Sequence, residues 1–203
     1  MTPTGPSDPG RRWEDEAALR SLSEEYAAAA DDRDGARFAE LFVPDGTLVV
    51  PKYPDDLRPV KSVTGRDALR LVPEALRRYE RTFHQVTNTR FTVEGDEASG
   101  HVQCTAHHLS GSGPAGRGSR DHGSTGDGST RDGPTWIDHV WFIRYRDEYV
   151  RTPRGWRFVR RVLELQWVED HAVAQAGPSP SGPSDWAGGA QPTGTGAGGG
   201  VPT

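Results

Sequence analysis

The sequence predicts an α+β fold in which helices come first and one curved, mainly antiparallel sheet follows. Up to Glu80, apolar side chains recur at the spacing of a helix. From Thr82 onward, apolar and polar residues alternate with the period of two that is typical of a strand. Short turns join the first alternating stretch to the second and the third to the fourth, which indicates hairpins. The four stretches are 82–93, 97–109, 135–150 and 155–169.

Three helices are expected in the first half. The first, over 12–33, is rich in Ala, Leu, Glu and Arg. Its apolar side chains have helical spacing: Trp13, Leu19, Leu22, Tyr26 and Ala29. A shorter helix, 34–42, ends at a Pro-Asp-Gly turn, and a third, 66–80, contains Pro73, which we expect to kink it. The segments between the second and third helices are predicted as a strand, 47–50, and a loop, 51–64.

Segments rich in Gly, Pro and Ser set the limits of the folded domain. Residues 1–11, 110–134 and 173–203 hold most of the 25 Gly and 16 Pro and carry almost no large apolar side chains. Such segments bury too little surface to offset the entropy of the chain, so we expect them to be disordered. The remainder predicts one domain over 12–172, with a flexible insertion at 110–134.

Composition and charge exclude several classes of partner. The formal net charge of -5 and the scattered arginines leave no basic field to attract a phosphate backbone, so no nucleic-acid partner is expected. The single cysteine, Cys104, excludes an intramolecular disulfide and a multi-cysteine zinc site, and it fits a reducing compartment. No apolar run is long enough to span a bilayer. We therefore expect a cytoplasmic protein that does not contact membranes.

The strand patterns indicate which side chains point into the domain. In 97–109 the even positions are small or apolar, so His108 should point inward and its neighbour His107 outward. Because these histidines face opposite ways and no third ligand is spaced nearby, no metal site is expected. In 155–169 the odd positions form an apolar stripe that includes Arg161. The other members of the stripe are Val159, Leu163, Leu165 and Trp167. An interior guanidinium requires an acid, a ligand or several hydrogen bonds.

The stretch 135–150 is apolar on both faces, so its direction stays open. One face carries Ile137, His139, Trp141, Ile143 and Tyr145, and the other carries Trp136, Val140 and Phe142. Since one face is enough to line the core, the other is a candidate contact between subunits.

Four local signatures follow one another along the chain: YAAAADDRD closing the first helix, then LFVPDGTLVV, FHQVTN and RDEYVRTPRGWRFVRRVL. Together they resemble the SnoaL-like branch of the nuclear-transport-factor-2-like superfamily, in particular the group that includes γ-hexachlorocyclohexane dehydrochlorinase and scytalone dehydratase. The resemblance covers residues 14–169. It implies a cone-shaped, cystatin-like domain whose sheet wraps around the N-terminal helices and encloses one pocket. It also implies chemistry without a cofactor, in a homodimer or homotrimer.

The resemblance assigns catalytic roles to three residues. The family's helix aspartate falls on Asp31, its histidine partner on His84, and an arginine that helps to bind the leaving anion on Arg161. A lysine of the dehydrochlorinase is replaced by Tyr26, which favours dehydration or isomerisation over loss of chloride. Scytalone dehydratase uses tyrosines and a second histidine, roles that Tyr26 and His108 match. The other residues expected to bind substrate are Leu48, Asn88, Cys104, Ala106, Trp141, Ile143 and Leu163.

An aspartate that holds one imidazole nitrogen leaves the other nitrogen free as a base, which suits proton abstraction next to a carbonyl or a leaving group. The leading hypothesis is therefore a cofactor-independent lyase or isomerase, dehydratase-like, that acts on a hydrophobic cyclic small molecule. Arg161 would stabilise the developing anion. One alternative is a non-catalytic ligand-binding or oligomeric scaffold protein of the same fold. Another is a hydrolase of the limonene-epoxide type, although the Asp-Arg-Asp set of that type is not evident.

Each catalytic candidate also has a structural interpretation. His84 is consistent with a hydrogen-bonded histidine at the start of a strand. Asp31 competes with Asp32 and Asp34 as the acid at the helix end. Arg161 is consistent with a buried ion pair, with Asp31 or with another acid. A hydrogen bond between the Asp31 carboxylate and the His84 imidazole beside an open pocket would favour the enzyme. A pair beyond hydrogen-bond reach, or a pocket filled by side chains, would exclude it.

Overall fold

The computed structural model describes residues 9–111 and 136–174, whose strands form one six-stranded sheet. The strands are β1 Phe42–Lys52, β2 Asp56–Thr64, β3 Arg81–Glu94, β4 Glu97–Gly111, β5 Trp136–Thr152 and β6 Gly155–Val173. Their order across the sheet is β2-β1-β6-β5-β4-β3. Neighbouring strands are antiparallel except β1 and β6, which are parallel. The predicted α+β class with a mainly antiparallel sheet is confirmed.

Helices cover one face of this sheet, which we call the inner face. They are α1 Pro9–Asp31, α2 Gly35–Glu40 and α3 Arg66–Leu69, with a 3₁₀ helix at Pro73–Arg78. Helix α1 packs against β3 and β6 and contributes Leu19, Leu22 and Tyr26 to the core. Helix α2 begins after Asp34, whose carboxylate accepts a hydrogen bond of 2.9 Å from the backbone N–H of Arg37.

Two central strands present their buried residues as a regular alternation. In β4 the even positions from Ala98 to His108 are buried, as the sequence predicts. In β5 the odd positions from Trp141 to Tyr149 are buried, which settles the direction that the sequence left open. The inner face of β5 therefore carries Asp147, which is buried. The sequence did not reveal this, because apolar residues occur on both faces of the strand.

The predicted stripe of β6 is correct in its middle and wrong at both ends. Arg161, Leu163 and Leu165 are buried, whereas Val159 is 37% exposed and Trp167 is 50% exposed. The ladder between β5 and β6 skips one β6 residue at Val159 and another at Gln166. Each such bulge shifts the alternation by one residue, so the side chains beyond it change face.

The first half also differs from the sequence prediction. The strand expected at 47–50 is longer, and the loop expected at 51–64 contains β2, which is largely exposed at the edge of the sheet. An exposed edge strand has no buried face and therefore no apolar alternation to reveal it. The helix expected at 66–80 is divided into α3 and the 3₁₀ helix, which starts at Pro73, where the missing N–H of proline costs no hydrogen bond.

Three described elements extend past the domain limits that composition suggested. Helix α1 begins at Pro9, β4 continues to Gly111 and β6 continues to Val173, so each element extends beyond the limit that composition suggested. We also expected disorder in the two terminal segments and in the insertion. Most of those residues lie outside the described ones. Among residues 9–111 and 136–174, no helix is long and apolar enough to cross a bilayer.

Candidate active site

Asp31 and His84 form a hydrogen-bonded pair between the end of α1 and the start of β3. The His84 Nδ1 atom lies 2.6 Å from Asp31 Oδ1. The backbone N–H of His84 donates to Asp31 Oδ2 at 2.8 Å, and the Thr82 hydroxyl donates to Asp31 Oδ1 at 2.7 Å. Because an ionised carboxylate only accepts, His84 holds its proton on Nδ1, and Nε2 remains as the basic nitrogen. The predicted pair is therefore formed.

The end of helix α1 fixes the position of the carboxylate. Arg33 adopts a left-handed backbone conformation with a φ of 59°, which ends the helical turn. The Arg33 guanidinium donates to the carbonyl of Ala30 at 2.9 Å and to the Thr82 hydroxyl at 2.5 Å. Arg33 thus connects the last turn of α1 to the strand residue that holds Asp31. Asp32, a competing candidate, pairs with Arg37 and does not contact His84 among the described residues.

The charge state of Asp31 follows from these contacts. Burial raises the pKa of its carboxyl, but the hydrogen bond and charge of His84 together with the Thr82 hydroxyl outweigh burial, so the pKa lies below its usual value. The Asp31 side chain is 20% exposed and the His84 side chain 9% exposed. The pair is therefore shielded from solvent while the carboxylate stays ionised.

A second histidine, His108, faces the pair from β4. Its ring centre lies 5.6 Å from that of His84, edge to face, and its Nδ1 donates to the carbonyl of His139 at 3.1 Å. The side chain is 2% exposed, and burial, followed by the nearby His84, lowers the pKa of His108 to about 3. His108 is thus neutral at neutral pH, with Nε2 as a hydrogen-bond acceptor. The prediction that it points inward is confirmed.

Aromatic side chains surround the two histidines. The rings of Tyr79 and Trp141 each lie 4.8 Å from the His108 ring, and Tyr53 lies 4.8 Å from Trp141. Trp141 Nε1 is buried and has no hydrogen-bond partner among the described residues. An unpaired indole N–H costs free energy in the free protein and is available to an acceptor on a ligand.

The structure does not bring Arg161 to the pair. Arg161 is fully buried and binds Asp147 through two hydrogen bonds of 2.9 Å. Its guanidinium carbon lies between 4.0 and 4.4 Å from three ring centres, those of Tyr26, Tyr145 and Phe158. Arg161 and Asp147 thus form a buried ion pair, which is the structural interpretation of Arg161 that the sequence left open.

The register of the sheet places Arg161 and the pair beside different residues of β5. His84 is opposite Ala106, and Ala106 is opposite Trp141 of β5, whereas Arg161 is opposite Asp147 of the same strand. Asp147 lies six positions after Trp141 in β5, and no hydrogen bond or ion pair joins Arg161 to Asp31 or His84 among the described residues. The catalytic role expected for Arg161 therefore has no support in its position.

Two further predicted substrate residues belong to the surroundings of Arg161. Tyr26 is 5% exposed and packs against Phe38 at 4.6 Å between ring centres. Leu48 is fully buried and pairs with Arg161 in the ladder between β1 and β6. Both residues lie in the aromatic core, and Tyr26 does not contact His84 among the described residues.

The remaining predicted substrate residues divide between the two faces. Ala106, Cys104, Ile143 and Leu163 are buried on the inner face, and burial raises the pKa of the Cys104 thiol to about 12. Asn88 is exposed, and its amide donates to the side chain of Gln103 at 2.9 Å on the outer face. An extra residue in β3 between Val86 and Thr89 changes the alternation there, so Asn88 was wrongly placed in the pocket.

Two surface clefts in the described part of the chain lie away from the pair. One, of about 600 Å³, is bordered by residues such as Asp45, Glu94 and Tyr149, and the other, of about 440 Å³, by residues such as Asn88 and Arg144. Neither is lined by Asp31 or His84. The rings nearest to the two histidines are those of Tyr79 and Trp141, which contact His108.

Sequence reasoning missed three partners that complete these sites. Thr82 holds Asp31, Asp147 holds Arg161, and the backbone carbonyl of His139 accepts a hydrogen bond from His108 Nδ1. Asp147 had no clear signal, because the sequence left open which face of its strand is buried. Thr82 had none, since a threonine at the start of a strand is common.

Comparison with known proteins agrees with this architecture. The family model for the SnoaL-like domain matches residues 11–162. No curated protein matches the sequence. A provisionally named scytalone dehydratase from Novosphingobium aromaticivorans is 21% identical, with a TM-score of 0.59 over 84% of this chain and 97% of that one. A type 3 hexachlorocyclohexane dehydrochlorinase from Novosphingobium barchaimii is 19% identical, with a TM-score of 0.58 over 85% and 99%.

A third solved structure is described as an NTF2-like protein with a cystatin-like fold from Novosphingobium aromaticivorans. It is 23% identical, with a TM-score of 0.51 over 80% of this chain and 92% of that one. At these identities the likeness shows the fold alone. The family match covers more than half of the sequence, and the chain therefore belongs to the SnoaL-like domain family.

Proposed function

We propose that the protein is a cofactor-independent lyase or isomerase, dehydratase-like, in which His84 is the base and Asp31 orients it. The observation that carries the proposal is the 2.6 Å contact between His84 Nδ1 and Asp31 Oδ1, with the carboxylate held by two further donors. A carboxylate fixed in this way sets the tautomer of the imidazole and stabilises the imidazolium that forms when Nε2 takes a proton.

The reaction begins when His84 Nε2 takes a proton from a carbon next to a carbonyl group. The electron pair of that C–H bond moves into the substrate, and a hydroxide on the next carbon leaves with a proton returned by His84. The net change is the loss of one water molecule. Without a leaving hydroxyl, the same proton transfer to a different carbon gives isomerisation.

Two groups near His84 are available to bind the substrate, and one of them, the Trp141 N–H, takes the anion-binding role that was expected of Arg161. Neutral His108 can accept a hydrogen bond from a substrate hydroxyl through Nε2, because its Nδ1 proton is held by the His139 carbonyl. The unpaired Trp141 N–H can donate to a substrate oxygen on which negative charge develops. Arg161 retains a structural role.

The substrate class follows from the side chains that surround the histidines. Tyr53, Tyr79 and Trp141 offer flat aromatic surfaces, and the polar groups near them are the two tyrosine hydroxyls, the imidazoles of His84 and His108 and the indole N–H. Such a lining suits a hydrophobic cyclic molecule that carries one or two oxygen atoms. No residue of the proposed reaction requires a cofactor.

A second candidate function is a non-catalytic ligand-binding or oligomeric scaffold protein. It is favoured by exposed aromatic side chains on the outer face of the sheet, where Phe83 is 60% exposed and Trp167 50% exposed. We propose that this face forms the contact in a homodimer or homotrimer, which is compatible with either function. The cytoplasmic location expected from the single cysteine stays a prediction.

Dehydration of a bicyclic β-hydroxy ketone, hydroxytetralone, tests the catalytic proposal, because the product naphthol is fluorescent. We expect the protein to accelerate this reaction and His84→Gln to lower kcat by about 10²-fold or more. His107→Gln, on the outer face of the same sheet, is the matched control and should keep the activity. Activity that survives in His84→Gln would contradict the role of His84 as the base. Binding of hydroxytetralone without any dehydration would favour the scaffold.

A further inference from the structure

A second hydrogen-bonded group lies at the end of the sheet, on β4, β5 and β6. His139 Nδ1 lies 2.7 Å from Asp170 Oδ1, and His139 Nε2 lies 3.0 Å from the Ser110 hydroxyl. His139 is directly opposite Asp170 in the ladder of β5 and β6, and Ser110 is opposite Ile137, two residues before His139. None of the three residues belongs to the Asp31–His84 pair.

The hydrogen bonds assign the protons in this group. The Asp170 carboxylate only accepts, so His139 carries its proton on Nδ1 and accepts a hydrogen bond from Ser110 through Nε2. The alternative acceptor for the Ser110 hydroxyl, the carbonyl of Ile137, is farther away at 3.4 Å. A serine that donates to an imidazole, which in turn donates to an aspartate, is the arrangement that makes a serine hydroxyl nucleophilic.

The position of the group suits reaction with a molecule that arrives from solvent. The His139 side chain is 25% exposed and the Asp170 side chain 59% exposed. Exposed ion pairs contribute little to folding stability, so the chain of contacts is not explained by a requirement of the core. The Tyr79 ring lies 6.1 Å from the His139 ring and 4.8 Å from the His108 ring, between this group and the proposed base.

A backbone donor also lies next to Ser110. Strand β3 begins at Arg81, opposite Leu109, and the Glu80 N–H donates to the Leu109 carbonyl at 2.8 Å. Because backbone groups alternate along a strand, the N–H of Gly111 points to the same side, beyond the end of β3. An N–H adjacent to a nucleophile can stabilise the oxyanion of an acyl-transfer intermediate.

We propose that Ser110 is a nucleophile, activated by His139 and Asp170, which transfers acyl groups from small esters to water. As the Ser110 oxygen bonds to the ester carbonyl carbon, its proton passes to His139 Nε2. The tetrahedral intermediate then expels the alcohol, which takes that proton, and the acyl group remains on Ser110. Water, deprotonated by His139, adds to the acyl carbon and releases the carboxylic acid and the free serine.

A fluorophosphonate probe tests this proposal on the full-length chain, because it forms a P–O bond with an activated serine as fluoride leaves. We expect a single label, located on Ser110 by mass spectrometry of the digested protein. Ser110→Ala should abolish it. Ser99→Ala, an exposed serine of the same strand that has no histidine partner among the described residues, is the matched control and should keep it.

Variants of His139 and Asp170 distinguish an activated serine from a serine that reacts only because it is exposed. We expect His139→Ala to slow labelling by about 10²-fold or more and Asp170→Asn to slow it by a smaller factor. The proposal is overturned by an unlabelled chain, by a label on another serine, or by labelling at Ser110 that is unchanged in His139→Ala. Circular dichroism establishes that each variant is folded. Asp31→Asn, which should lose dehydration, should still be labelled, so this proposal and the proposed function fail separately.

Discussion

His108 is the residue whose environment makes the clearest prediction about pH. Its pKa in the folded protein is about 3, against an ordinary value of 6.5, because burial disfavours the charged ring. Below about pH 6.5 the unfolded chain binds a proton on this histidine, whereas the folded protein does not until about pH 3. The free energy of unfolding therefore falls as the pH falls between these two values. The slope for one proton is about 1.4 kcal/mol per pH unit.

We therefore expect His108→Asn to reduce the loss of stability on acidification. The asparagine amide can still donate to the His139 carbonyl, but it does not bind a proton in this range. Urea unfolding at several pH values below 6.5 should show a flatter dependence of the unfolding free energy for His108→Asn than for the unchanged protein. His101→Asn, on the exposed outer face, is the control. Equal slopes in His108→Asn and the unchanged protein would contradict the assignment.

At the scale of elements, β5 and β6 are joined by the buried pair of Arg161 and Asp147, which have fully buried side chains. Tyr149 donates a hydrogen bond of 2.8 Å to Asp147, and Ser23 lies 3.5 Å from the guanidinium. Removal of one partner leaves the other charge buried and unpaired, which costs about 3–5 kcal/mol, whereas removal of both is less costly.

We expect Asp147→Leu and Arg161→Met each to destabilise the protein by about 3–5 kcal/mol. The double variant should be less destabilised than the sum of the two, by more than about 1 kcal/mol, because neither charge is then left alone. Chemical denaturation of the four proteins measures this coupling. Strictly additive losses would show that the pair does not act as a unit.

The success of the sequence prediction differed from strand to strand for a physical reason. Strand β4 alternates without a bulge, so its pattern gave the direction of His108 correctly. Strand β6 has bulges at Val159 and Gln166, which no residue type announces, and the prediction failed beyond them. The bulge before Thr89 displaced Asn88 in the same way.

The candidate pair illustrates a different limit. Asp31 and His84 are 53 residues apart, and nothing in periodicity or charge connects them. They were predicted only through resemblance to a family. Arg161 shows the reverse, because the apolar stripe alone indicated that it is buried and paired, and resemblance then added a catalytic role that its position does not support.

At the scale of the whole molecule, the outer face of the sheet bears the apolar surface expected of a contact between subunits. Phe142 stacks on Trp167 with ring centres 4.3 Å apart, and Phe83 lies on the same face, 60% exposed. Exposed aromatic surface of this kind favours association in water.

We expect light scattering to give the mass of a homodimer or homotrimer, and the double variant Phe83→Ser with Trp167→Ser to shift it towards the monomer. Leu71→Ser is the matched control, because Leu71 is 67% exposed but lies outside the sheet. A monomeric unchanged protein, or a double variant with unchanged mass, would contradict this contact.

The central claim is that His84 abstracts a proton next to a carbonyl, and it can be measured without a leaving group. Tetralone, which has no hydroxyl to lose, exchanges the protons next to its carbonyl when it is incubated in deuterium oxide, and proton NMR follows the loss of their signal. We predict that the protein accelerates this exchange and that His84→Gln returns it to the rate without protein. Exchange that is equally fast in His84→Gln would contradict the account.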